Sequence, residues 1–447
     1  MSYVRCVHEY VSSTGATRTL YALENGFYSL INGTATLIYS DYGITDSNWK
    51  AVNFNGKSYF FQRGNHPLVY DGTSMTRISN ASTYTGTVLQ ANEVLAAFGR
   101  LWTIDTETDG YTLKWSDTLI GEAYTGGASG TLNLLSVFPK GVSKAVALAS
   151  FNNFLVIFCD KSILIYTGAS NPSTMSIQDI IDGVGCLSRD SVVDVGTDIF
   201  FLSDTGVRSF GRVVQERSSP MFDISYTVRD ELMADVVRHN SNETIKAGLN
   251  PVDGFYLITM PGIKKAYCFD LKKRLENNVC RATTWTIAPS AIRLTRAKDM
   301  LFGFWENVGK YTGYSDNGKP YQFRYDSAYL VGDEKTAEKT KLWKQARVFV
   351  NGGAGYDLGI NWGLNYGDFE RGETLSLEPY GTPSEYNTGK YGIDQYGYRP
   401  QFTKPANFKL SGEGRVIQIQ LRTLINAQPF AIQEMTVFAK QGRTRTA

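Results

Sequence analysis

Short apolar runs alternate with polar turns rich in glycine and asparagine along most of the chain. In NFNGKSYFFQRGNHPLVYDG, residues 53–72, an Asn-Gly turn leads into an apolar strand predicted over Ser58 to Gln62. A break at Arg63-Gly64-Asn65 precedes a second predicted strand, Leu68 to Tyr70, which ends at Asp71-Gly72. Strand pairs joined by such turns read as antiparallel hairpins. One hairpin alone is marginal in water, because it cannot bury its apolar face. The pattern must therefore recur if it is to find packing partners.

It does recur. TLYALENGFYSLING (19–33) precedes it, and GRLWTIDTETDGYTLKWSD (99–117), NFLVIFCDKSILIYTG (153–168) and DIFFLSDTGVRSFG (198–211) follow. GFYLITMPGIKKAYCFD (254–270) and DMLFGFWENVGKYTG (299–313) close the series. The strand starts fall near Tyr21, Tyr59, Leu101, Leu155, Phe200, Tyr256 and Leu301, so six steps cover 280 residues and the mean period is about 47. That is the period of propeller blades of about four strands. The runs Trp49 to Phe54, Lys144 to Phe151 and Ser191 to Val195 supply inner strands. The expected fold is an all-β propeller of six or seven blades, its stabilising burial lying between neighbouring sheets. One segment reads as helical, DISYTVRDELMADVV (223–237), with Leu232, Met233 and Val236 on one face, decorating a loop between blades.

The period stops near Tyr314. A Lys/Glu-rich run, GDEKTAEKTKLWKQARVFV (332–350), and Gly/Tyr-rich loops, EPYGTPSEYNTGKYGIDQYGYRPQF (378–402), follow it. GRVIQIQLRT (414–423) and FAIQEMTVFAK (430–440) then alternate apolar and polar positions, as strands with one buried face do. The expected domains are an N-terminal strand segment over 1–18, the propeller over 19–326 and a β-sandwich over 327–447.

Composition supports this reading: aromatics reach 13%, with 27 Tyr, and glycine numbers 43. Strands favour aromatics, and their many turns use glycine. The 45 Lys and Arg against 43 Asp and Glu are too even to point to a nucleic-acid coat or a membrane-surface binder. Cys6, Cys159, Cys186, Cys268 and Cys280 show no CxxC or Cys/His spacing. They suggest neither zinc nor a disulfide framework but buried thiols in a reducing cytosol. No signal-peptide core opens the chain and no 18 apolar residues run together, so a soluble, unexported protein is expected.

Candidate chemistry is thin. His8, His66 and His239 lie far apart without HExxH spacing and read as structural or exposed. There is no nucleophile elbow, Walker loop or dinucleotide fingerprint, and no cofactor is expected. A carboxylate pair for glycoside hydrolysis would meet only in space. The stretches nearest to the Asp-box turn of sialidase-like propellers, SDTGVRSFG at 203 and SDNGKPYQF at 315, place Asp wrongly and lack the Trp. A carbohydrate-binding or carbohydrate-cleaving propeller is the competing class, and a pocket of Trp and carboxylates would favour it.

Several stretches resemble the tail hub, or nozzle, proteins of short-tailed bacteriophages, also called packaged-DNA stabilisation proteins. LYALENGFYSLING and AVNFNGKSYFFQRGNHPLVYDGTSMTRIS resemble their first blades. LASFNNFLVIFCDKSILIYTGASNPSTM resembles the central blade, and DGVGCLSRDSVVDVGTDIFFLSDTGVRSF the next. WGLNYGDFERGETL and GEGRVIQIQLRTLINAQPFAIQEMTVF resemble the terminal sandwich. Family members often carry a longer segment before the first blade, where about twenty residues stand here.

The resemblance implies a non-enzymatic virion part, made in the host cytoplasm: a homohexameric ring below the head-to-tail adaptor. Such a ring extends the DNA channel, retains the packaged genome until ejection, lies close to double-stranded DNA and joins tail fibre, needle or spike proteins. Near-neutral charge suits a conduit, because each phosphate contact adds salt-sensitive affinity. The expected contacts with partner or neighbouring subunits are Lys335, Lys339, Lys341 and Lys344, with Tyr380, Tyr386, Tyr391, Tyr396 and Tyr398. Aromatics are enriched where proteins bury surface, and lysines steer an acidic partner. The lysines read equally well as a solvated loop balanced by Glu334 and Glu338, and the tyrosines as cover for their own core.

Overall fold

Seven antiparallel sheets follow one another from Cys6 to Lys310, each built from consecutive strands in up-and-down order. The computed structural model describes residues 3–87, 90–106, 109–138, 143–219, 223–276, 279–332, 337–378 and 404–441. The chain divides into two units, 1–311 and 312–447.

Blade 1 comprises Cys6–Val11, Thr17–Leu23, Gly26–Ile31 and Thr34–Ser40, and blade 2 Lys50–Phe54, Lys57–Phe61, Leu68–Tyr70 and Met75–Arg77. Blade 3 comprises Ala91–Ala97, Arg100–Thr106, Thr112–Trp115 and Gly130–Asn133, and blade 4 Ala145–Phe151, Phe154–Cys159, Ser162–Thr167 and Ser176–Asp182. Blade 5 has three strands, Val193–Asp194, Ile199–Ser203 and Gly206–Ser209. Blade 6 comprises Lys246–Asn250, Phe255–Met260, Lys265–Arg274 and Cys280–Trp285, and blade 7 Ala291–Leu294, Met300–Gly303 and Val308–Lys310. Among the described residues the count is seven, and each predicted hairpin is the second and third strand of one blade.

Turn chemistry fixes the register. Asn55 and Gly56 both have positive φ, 47° and 75°, so Phe54 pairs with Lys57 through a two-residue turn whose twist matches its strands. Alternation then sends side chains to opposite faces of the blade. Phe60 packs with Phe27 and Leu20 of blade 1, while Tyr59 and Phe61 pack with Val94 and Leu101 of blade 3. The same arrangement continues round the ring, with one apolar cluster for each interface. The last cluster joins Val4, Val7 and Tyr21 to Ala291 and closes blade 7 onto blade 1.

The backbone reinforces that closure. Val4 N–H donates to the carbonyls of Phe304 and Trp305, and Ser290 Oγ donates to Val4 O at 2.8 Å. Residues 1–18 are therefore not a separate segment, since Cys6–Val11 is the first strand of blade 1. First strands touch one another round the ring, with the turn Arg189–Ser191 taking the place of the first strand of blade 5 against blade 4, and so line its axis.

The predicted helix is α2, Arg229–His239, shorter than expected at its start. Leu232 and Val236 are buried between blades 5 and 6, with Met233 partly buried beside them. A second helix, α1, Phe210–Glu216, was not expected. Ser209 caps it by accepting from Arg212 N–H, where blade 5 would otherwise continue to a fourth strand.

The second unit is a pair of sheets. One orders Tyr321–Asp326, Ile417–Ile425, Asp357–Leu364 and Arg371–Ser376, and the other sets Lys341–Gly352 between Ala406–Lys409, Glu413–Gly414 and Phe430–Gln441. Trp343, Val348, Ile360, Phe408, Ile419 and Leu421 fill the space between them. Tyr321–Asp326 pairs along its length with Ile417–Ile425. The boundary therefore falls at 311/312 rather than 326/327.

Candidate functional site

The strongest concentration of chemistry lies on the propeller axis. Arg189, on the lead-in to blade 5, is 5% exposed. Its Nη1 donates to Asn92 O at 2.6 Å and Asn92 Oδ1 at 3.0 Å, both on blade 3. Its Nη2 donates to Asn48 Oδ1 at 3.1 Å, at the entry to blade 2, and to Asp190 Oδ2 at 2.7 Å. Lys246, which opens blade 6, donates to both Asn48 and Asp190. In a ring of seven, blades 2, 5 and 6 can meet in this way only across the central hole. All these groups sit at or just before the starts of first strands, so they share one end of the axis. The hole is spanned there by direct hydrogen bonds.

Lys50 of blade 2 extends the network, its Nζ 3.4 Å from Glu93 Oε2 and 3.6 Å from Asp190 Oδ1. Glu93 is 1% exposed and neither carboxylate oxygen has a hydrogen-bond partner. Burial pushes its carboxyl up to about 7 against the pull of Lys50 and Arg189. Asp190 behaves in the opposite way. Burial alone would raise it, but Arg189, Lys246 and Lys50 hold it well below the usual carboxylate range. Burial lowers the Lys246 ammonium despite Asp190. Burial also works against Arg189, but Asp190 and then Glu93 outweigh it and hold the guanidinium charged.

Beside this network Asp105 of blade 3, 2% exposed, gathers cations from both neighbouring blades. Arg63 Nη2 of blade 2 donates to it, and Lys144 Nζ, at the entry to blade 4, lies 3.1 Å from Oδ1. Asn92 Nδ2 donates to Oδ2 at 3.1 Å. Asp105 has φ of 62°, a left-handed backbone inside a strand, and such strain persists only where surroundings fix it. Between the two groups lies a cavity of about 130 Å³, lined by Arg63, Lys144, Arg189, Asp105, Asn48, Asn92, Ser188 and Asn242 with Ala145, Val146 and Leu187.

His8 and His239 fill structural positions. His8 is buried, its Nε2 3.0 Å from both Asn53 Oδ1 and Ser58 Oγ, and burial first and Arg293 next hold it well below its ordinary value. His239 Nε2 lies 2.8 Å from Thr244 Oγ1, and His66 is exposed. All five cysteines are buried and free, and burial pushes each thiol up, that of Cys186 to about 12. Among the described residues, no group of three or more His, Cys, Asp and Glu stands ready to hold a metal ion. Nor is any described helix long and apolar enough to cross a membrane.

Of the predicted contact residues, Lys335, Tyr380, Tyr386, Tyr391, Tyr396 and Tyr398 lie outside the described residues. Lys339 and Lys344 are exposed. Lys341 departs from expectation: it is 4% exposed, and its Nζ donates to the carbonyls of Lys339 at 3.1 Å and Arg415 at 3.2 Å. It faces its own chain, because alternation from Trp343 turns it inward. Five described tyrosines of this unit are exposed instead, at positions 314, 321, 325, 329 and 366, and the rings of Tyr329 and Tyr366 lie 4.6 Å apart.

The axial network was missed because its members are scattered from Asn48 to Lys246. A charged residue at the entry to an apolar inner strand recurs once per blade from blade 2 to blade 6, and that was the available signal.

No protein-family model and no curated protein matches the chain. Among solved structures, it is similar to the computationally designed protein Ika8, at 12% identity and TM-score 0.38, covering 66% of this chain and 79% of that one. It is also similar to the WD40 β-propeller domain of Doa1, at 11% identity and TM-score 0.41, covering 69% and 92%. The Neurospora crassa Pan2 WD40 domain matches at 10% identity and TM-score 0.40, covering 69% and 87%. The architecture rests on the seven sheets and their closure, not on these likenesses.

Proposed function

We propose that the chain is a structural component of a short-tailed bacteriophage tail, forming a hub ring that extends the DNA channel and retains the packaged genome. One observation carries the reading: the stretches resembling nozzle proteins follow the structural units in chain order, those on the propeller each centred on the second and third strands of one blade. The run from Ala51 to Ser79 is blade 2 nearly entire, that from Leu148 to Met175 the first three strands of blade 4, and that from Asp182 to Phe210 all of blade 5. The C-terminal runs are the turn between Asp357–Leu364 and Arg371–Ser376 and the consecutive strands Ile417–Ile425 and Phe430–Gln441, one in each sheet of the second unit.

The closed axis adds a constraint on that reading. A B-form duplex has a major groove alone about 12 Å wide. It cannot pass where Arg189 and Lys246 bridge opposite blades. The channel of such a ring therefore lies between copies, whose contacts must be heterologous and close on themselves. The competing carbohydrate reading called for tryptophan with carboxylates in one pocket, whereas the axial cavity has Asp105 among cations and amides and no aromatic ring.

The test is to delete residues 380–398, the tyrosine-rich run offered as the joining surface, and to follow incorporation and genome content. The expected result is a folded propeller that fails to enter particles, which then lose their DNA. Normal copy number with the genome retained would remove this segment as the joining surface, and loss of the whole chain without effect on particles would refute the hub reading.

A further inference from the structure

We propose that the axial cavity between blades 2, 3, 4 and 5 is a binding site for a small oxyanion of the phosphate class. Charge is the first ground. The cavity and the network behind it gather Lys50, Arg63, Lys144, Arg189 and Lys246 against Glu93, Asp105 and Asp190, an excess of positive charge around a partly open cavity. Buried charge without compensation is costly, so such a site favours an anion that neutralises it.

Shape and chemistry point the same way. At about 30 Å³ per water, a cavity of about 130 Å³ holds several waters or one tetrahedral anion, and no duplex or polypeptide. Its donors converge from separate blades. Arg63 carries a planar fork suited to oxyanions and Lys144 adds a point charge, while the N–H groups of Arg189 are engaged by Asn48, Asn92 and Asp190. Asn48, Asn92, Asn242 and Ser188 supply further polar groups. Lys144 is 45% exposed at its side chain and Asn242 is exposed, which places the mouth at solvent. The left-handed backbone of Asp105 is a second sign of a constrained site, since it holds the one lining carboxylate against Arg63 and Lys144. That carboxylate spaces the two cations and limits how tightly an anion is held. The site is independent of the hub reading and would serve a propeller of any function.

The experiment is titration calorimetry on the full chain with inorganic phosphate, sulfate and a nucleoside 5′-monophosphate, at matched ionic strength with chloride as the control. Phosphate and sulfate should bind saturably with one site per chain. Binding of the monophosphate as well would assign a terminal phosphate group, and its failure would assign the free ion. Lys144→Gln, a change at the half-exposed rim, should weaken phosphate about tenfold, the loss expected for one charge-assisted contact. Asp105→Asn, nearly isosteric, should tighten it. Lys298→Gln, on an exposed turn of blade 7, should change nothing. No saturable binding of either anion by the wild-type chain would overturn the proposal, and so would affinity equal in Lys144→Gln and wild type.

Discussion

Replacing Arg189 with methionine removes the group that joins blades 2, 3 and 5 across the axis while keeping an unbranched apolar stem. Six hydrogen bonds are lost, two to Asn92, two to Asn48 and two to Asp190. At about 1.5–3 kcal/mol for each bond to a charged group, the simple sum overstates the cost. Asp190 keeps Lys246 and Lys50, and water from the adjoining cavity can reach Asn92. The appropriate scale is that of a buried ion pair broken at one partner, about 3–5 kcal/mol. At about 2 °C per kcal/mol, the low end for larger domains, the melting temperature should fall by about 6–10 °C. The control is Arg217→Ala. Arg217 pairs with Asp179 at 3.0 Å but is 72% exposed, where such pairs contribute about 0–1 kcal/mol. Calorimetric scans of both variants against wild type make the comparison. If Arg189→Met melts no lower than Arg217→Ala, the axial network does not hold the blades together.

Other consequences are equally direct. A Cβ on Gly185 would lie 1.8 Å from the carbonyl oxygen of Asp160, a rigid backbone atom, so Gly185→Ala should cost at least about 2 kcal/mol in urea unfolding; an unchanged midpoint would contradict the packing of the link from blade 4 to blade 5. Ile157 is fully buried against blade 3, and Ile157→Asp should leave the chain insoluble or molten, whereas a soluble protein with normal melting would argue against the blade assignment. Glu93 titrates near 7 when folded against 4.5 in its ordinary state, so its contribution to stability is full below about pH 4.5 and lost as pH rises through about 7. Glu93→Gln should therefore gain on wild type by about 3 kcal/mol between pH 4.5 and 8, as read from urea midpoints, and a pH-independent difference would show that Glu93 is ionised throughout.

The legible part of the sequence was what period and turn chemistry control. Tyr59, Leu155 and Tyr256 mark second strands because these strands are buried on both faces and read as continuous apolar runs. Outer strands were less visible. Gly130–Asn133 has no buried residue, and Thr34–Ser40 is mostly exposed, so neither needs an apolar pattern. The boundary near 312 was placed too late because Tyr321–Asp326 pairs with a strand about a hundred residues onward, and nothing local announces that partner. The axial site was hidden for a similar reason. Arg189 and Asn48 are 141 residues apart, and only closure of the ring brings them together.

The hub reading is tested most directly by single-particle averages of tails from particles that carry this protein. The account predicts six copies in a closed ring, with the DNA path running between them and each propeller axis blocked at its Arg189 end. A single copy on the tail periphery, or duplex density passing along a propeller axis, would contradict it.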